Sequence, residues 1–143
     1  MAAWYVLGLL AGMAQAVQAA VNAQLRAAVE SPLWAALISF AVGTAGLCVL
    51  VLVGRAPVPV HWPSRAWVWS GGLLGVLYIC TAILLVPRLG AATMLGLFVA
   101  GQMTAALVLD QYGWLGVPLH SASAGRLLGA ALVVAGVFLL RRA

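Results

Sequence analysis

The chain has 143 residues, of which 66% are hydrophobic and only 6% charged, where ordinary globular domains carry about 25% charged residues. So few charges cannot cover a soluble fold of this size, and the composition excludes one in favour of an integral membrane protein. The net charge of +5 does not point to nucleic acid, because the seven arginines are scattered between apolar runs, with no lysine and no basic patch.

A helix needs about 20 apolar residues to cross a bilayer, and five runs are predicted to do so. The first covers about residues 4–25 and stops at Arg26 and the turn signal Glu30-Ser31-Pro32. The AQA at 14–16 resembles a signal-peptide cleavage site, but no basic segment precedes it, and the run is read as a span. The second covers 33–53 and is ended by GRAPVPVHWPSR, whose prolines cannot continue a helix. The third covers 66–86 and is closed by Pro87-Arg88. The fourth covers 90–109 and is closed by Asp110 with Gly113 and Gly116. The fifth covers about 122–140 and is closed by Arg141-Arg142. Trp4, Trp34, Trp62, Trp67 and Trp114 fall near the predicted ends, as an interfacial aromatic belt requires. The predicted fold is a single all-α transmembrane domain of five helices over 1–143.

Five helices place the two ends of the chain on opposite sides. One side then carries Arg26, Arg88, Arg141 and Arg142, the other Arg55, Arg65 and Arg126. Four against three is almost no positive-inside bias, and it predicts that both orientations insert. Two copies in opposite orientation make a ten-helix assembly with inverted repeats, the plan of many transporters. An antiparallel homodimer is therefore the expected working unit, with the lipid bilayer and a small polar solute as its other partners.

Helix faces supply the candidate site. At about 100° per residue, Gly8, Ala11, Gly12, Gln15, Gln18, Ala19, Asn22 and Arg26 share one sector of the first helix. Amides facing lipid cost several kcal/mol unless paired, so Gln15, Gln18 and Asn22 are expected to face other helices or a wet cavity. Small-residue stripes elsewhere permit close helix packing: Ser39, Gly43 and Gly46; Gly71, Gly75, Tyr78 and Ala82; Thr93, Gly96, Ala100 and Thr104; Gly125, Gly129 and Gly136. Tyr78 needs a partner for its hydroxyl wherever it is buried, and Gln102 points away from the fourth helix's small stripe. Gln15, Gln18, Asn22, Gln102 and Tyr78 are the predicted pathway residues. Gly71, Gly75, Gly125, Gly129 and Gly136 are the predicted packing or dimer contacts. Asp110, at the foot of its helix, is read as a cap, a salt bridge to Arg88 or Arg126, or an ion-coupling carboxylate.

No hydrolase, phosphate-loop or metalloprotease motif occurs, and His61 and His120 have no cysteine or acid at ligand spacing. Cys48 and Cys80 lie in separate apolar runs and read as small core residues. No catalytic residue, metal site or cofactor is expected.

Several stretches together resemble one family: the Q-x-x-x-N of Gln18 and Asn22 with Leu25, ISFAVG at 38–43, GGLLG at 71–75, PRLGAAT at 87–93, GQMTAALVLDQYGWLG at 101–116 and GRLLGAALVVAGVFLL at 125–140. The chain resembles the YdcZ-like branch of the drug/metabolite transporter superfamily over nearly its whole length. The resemblance implies a multi-pass protein of the bacterial inner membrane that exports a solute. It also implies kinship with small multidrug resistance transporters, which function as antiparallel dimers. Those carry a glutamate within the first helix, where this chain has Gln15, Gln18 and Asn22 and no acid, so neither carboxylate exchange nor a preference for cations carries over. The expected function is secondary transport of a small polar metabolite or drug-like solute. The alternatives are a passive channel built by the same dimer, and a non-transporting scaffold or lipid-interacting protein.

Overall fold

A computed structural model describes residues 2–142. They form α1 (Ala2–Val29), α2 (Pro32–Val53), α3 (Ser70–Leu89), α4 (Ala91–Tyr112) and α5 (Ala124–Arg142), with 3-10 turns at Ala66–Trp69 and Trp114–Gly116. Four of these helices are long and apolar enough to cross a membrane, whereas the apolar part of α5, Ala124–Leu140, is shorter. The side chains of Arg141 and Arg142, expected to anchor the last helix, lie outside those described.

Helix ends follow local chemistry. Ser31 stands at the N-cap of α2 and accepts a hydrogen bond from the Trp34 backbone N–H at 3.4 Å, with Pro32 in the first turn. Helix α1 runs to Val29, past the expected stop at Arg26. Its 28 residues rise about 42 Å, the thickness of a bilayer with its headgroups rather than of the hydrocarbon alone. Helix α3 also runs past its expected end, continuing through Pro87 to Leu89. Proline removes the N–H that would bond the carbonyl four residues back, but its own φ suits a helix. The stop comes at Gly90, whose φ of 77° is one that residues with a Cβ rarely adopt.

The chain forms two compact units, Met1–Arg88 and Leu89–Ala143. In the first, Ala35 and Ala36 of α2 pack with Ile79 and Ile83 of α3, and Leu25, Val29 and Cys80 close around them. Small side chains such as these alanines suit a dispersion-packed seam inside lipid. In the second unit Met94 of α4 is fully buried. There Gly96 lies so close to α5 that a Cβ on it would stand 2.9 Å from Val137 Cγ2. Outside these seams the helices are bare: Leu50, Leu52 and Val53 of α2 are 68%, 75% and 77% exposed. Apolar surface of that extent requires hydrocarbon or another subunit against it.

The glycine stripes do not all serve as contacts within one chain. Gly75 does approach another helix, since a Cβ on it would lie 3.5 Å from Phe40 Cζ, but at Gly71, Gly129 and Gly136 a Cβ would meet nothing within 4 Å. Gly125 comes near only Ser123 of its own turn. The small residue that admits a close neighbour is instead Gly96, because α4 turns the Thr93–Gly96–Ala100 face towards α5.

Candidate functional site

In the first unit, α1, α2 and α3 surround a cleft of about 440 Å³. From α1 come Gln15 and Gln18, from α2 Ser39, Phe40, Gly43, Thr44 and Leu47, and from α3 Gly75, Tyr78 and Ile79. The periodicity of α1 explains its share. Residues 15 and 18 lie about 300° apart around the axis, hence within one sector of about 60°. The two glycines leave room by withholding side chains from the walls.

Two carboxamides and three hydroxyls therefore converge on one space with an aromatic ring and aliphatic carbon around them. No carboxylate, guanidinium or imidazole lines it. The hydroxyls on α2 are not spent on their own helix. Thr104 of α4 turns its hydroxyl back to donate to the Ala100 carbonyl at 2.9 Å, the usual way a helix satisfies a threonine in apolar surroundings. Among the described residues, neither Ser39 nor Thr44 makes such a bond. Tyr78 is half-buried at the cleft wall.

The amide stripe of α1 thus divides. Gln15 and Gln18 are exposed in the cleft, whereas Asn22, one turn further on, is buried at 4% exposure and does not line it. None of the Asn22 polar atoms is both sealed from solvent and unbonded. Gln102 belongs to the second unit and is exposed on α4, away from the face that meets α5. Ser39, Phe40 and Thr44 were missed as site residues by sequence reasoning. Helix α2 is apolar on every side, so two hydroxyls separated by about 140° of helix rotation mark no face.

Asp110 is committed elsewhere. Its carboxylate pairs with the Arg126 guanidinium, whose other terminal nitrogen donates to the His120 carbonyl at 3.0 Å. The His120 N–H in turn donates to the Asp110 carbonyl at 2.8 Å. Beside them the Ala122 N–H donates to Gln111 Oε1 at 2.7 Å, and Ser123 Oγ accepts from the Arg126 N–H at 3.3 Å. Together these bonds clasp the turn between α4 and α5, with Gly113 in the left-handed conformation ending α4. Asp110→Asn is expected to cost about 1 kcal/mol, since solvent reaches Arg126 and screens the pair. The melting temperature should fall by a few degrees, and any solute transport should persist. Unchanged melting with transport lost would make Asp110 an ion-coupling group instead.

Among the described residues no group of three or more histidine, cysteine or acidic side chains could hold a metal ion. Residues 3–139 match the profile of the family described as "Putative inner membrane exporter, YdcZ". The chain is also 34% identical over 110 residues to "Inner membrane protein YdcZ" of Escherichia coli (strain K12). That match covers 77% of this chain and 66% of the relative, so the chain spans a little under two thirds of the relative's length. No solved structure matches the chain.

Proposed function

The chain belongs to the YdcZ family of multi-pass inner membrane proteins, and on that premise we propose that it is a secondary transporter whose solute occupies the cleft between α1, α2 and α3. One observation carries this reading: exposed amides of α1 meet unspent hydroxyls of α2 in a space with no ionisable wall other than the Tyr78 phenol. Uncharged donors and acceptors can replace the hydration shell of a neutral polar solute at little net cost. They cannot compensate the dehydration of a net charge, which is far more expensive. The solute is therefore an uncharged, hydrogen-bonding molecule with an apolar part to lie against Phe40 and Leu47.

The test is loss of solute from proteoliposomes loaded with a mixture of neutral and charged polar metabolites, followed by mass spectrometry. Saturable loss of uncharged species, faster than from empty vesicles, is expected. Loss confined to charged species would overturn the reading of the cleft. Flux rising linearly with concentration would make the protein a channel, and no flux at all a scaffold.

The working unit is an antiparallel homodimer. The extensive uncovered apolar surface and the open faces of Gly129 and Gly136 support an assembly larger than one chain. The near-balance of arginines between alternate loops supports insertion both ways. In cells carrying a variant without Cys48 and Cys80, a Ser64→Cys change places a thiol between α2 and α3. An impermeant maleimide should label about half of the molecules. Complete labelling or none would leave a single orientation.

A further inference from the structure

A second cleft, of about 500 Å³, lies in the same unit where α1 ends. Its polar wall is Arg26, Glu30 and Gln24, and its apolar wall includes Ala27, Val86 and Pro87. Arg26 and Glu30 stand four positions apart, the spacing at which a helix normally brings opposite charges together. They do not pair, and among the described residues neither side chain makes an ion pair or hydrogen bond with any other group. The backbone gives the reason. Helix α1 stops at Val29, and Glu30 takes a φ of 54°, which swings it off the helical surface that carries Arg26. A left-handed glutamate at a position that glycine usually fills is held there at a cost. Its effect is to present a cation and an anion, unneutralised, to one cavity.

We propose that this cleft binds the zwitterionic headgroup of an ethanolamine phospholipid, phosphate on Arg26 and ammonium on Glu30. A purely anionic ligand would meet Glu30 and the negative end of the α1 dipole, and a purely cationic one would meet Arg26. A ligand carrying both charges satisfies both walls. A quaternary choline has no N–H to donate to Glu30, and a glycerol headgroup has no cation. The membrane is the source because α1, at about 42 Å, places its last turn in the headgroup layer. Ala27, Val86 and Pro87 give the glycerol and the first acyl carbons an apolar wall.

The experiment is native mass spectrometry of the purified protein equilibrated with equimolar phosphatidylethanolamine, phosphatidylcholine and phosphatidylglycerol. Ethanolamine lipid should be retained about tenfold over the other two, the difference one charge-assisted contact makes. Arg26→Gln and Glu30→Gln should each erase that preference, and the exchange Arg26→Glu with Glu30→Arg should restore part of it. Free phosphoethanolamine should compete poorly because it lacks the apolar part. Equal retention of all three lipids by the wild-type protein overturns the proposal without any variant needing to fold. So does a preference that survives both single changes. Free phosphoethanolamine binding as tightly as the lipid would overturn the assignment to a membrane source.

Discussion

Gln18→Leu is expected to cut solute flux about tenfold or more, since one lost hydrogen bond to a bound polar solute is worth roughly a factor of ten. The melting temperature should stay within a degree or so of wild type. The two outcomes separate because Gln18 is exposed in the cleft and makes no bond to another described residue. Its removal therefore leaves no partner stranded. Asn22→Leu should behave in the opposite way. Asn22 is 4% exposed on the packed side of α1, so a branched side chain there overpacks the seam at about 1–3 kcal/mol. Thiol labelling gives a second measure in a background without Cys48 and Cys80. Cysteines at 15 and 18 should react with water-soluble reagents and a cysteine at 22 should not. Protection at 15 and 18 equal to that at 22 would mean a dry seam, and the transport reading of this cleft would fall.

Gly96→Leu is expected to destabilise the second unit by about 3 kcal/mol, the upper end of overpacking penalties, and to misfold part of the population. Even the first carbon of the new side chain would stand 2.9 Å from Val137 Cγ2, a short β-branched group with one favoured rotamer in a helix. Helices α4 and α5 must then separate. Gly96→Ala should cost less, and Val137→Ala in the same molecule should recover much of the loss. Gly129→Leu provides the contrast, because a Cβ there meets nothing within 4 Å in the chain. It should leave the melting of the dissociated chain unchanged while weakening the proposed dimer, measured by cross-linking yield in lipid. An intact dimer would place the Gly129 face against lipid. Equal tolerance at Gly96 and Gly129 would contradict the α4–α5 seam itself.

Much of the architecture was legible before any contact was known, and the departures have local causes. Apolar runs long enough for a bilayer announce helices by length alone, and the prolines of 54–65 announce their interruption. The ends were less legible. Proline at 87 reads as a stop, yet it sits in the last turn of α3, and the conformational freedom of Gly90 ends the helix instead. Arg26 likewise reads as the end of α1, yet a long side chain can reach water from inside the last turn.

The site divides along the same line. Periodicity on one helix determines which residues share a sector, and so it joined Gln15, Gln18 and Asn22 before any neighbour was known. It cannot say which edge of that sector meets a packed helix and which an open space, because the residues deciding that come from elsewhere in the chain. Gly43 and Gly75 leave the cleft beside Gln15 and Gln18, while Asn22 is buried. Asp110 shows the same limit. Scarcity of acids made it conspicuous, but its pairing with Arg126 depends on a turn that carries the chain back by sixteen residues. Composition and period, being properties of neighbours along the chain, determined the solvent, the helices and their faces. Tertiary structure alone decided what each face meets, because contacts between helices depend on residues far apart in the sequence.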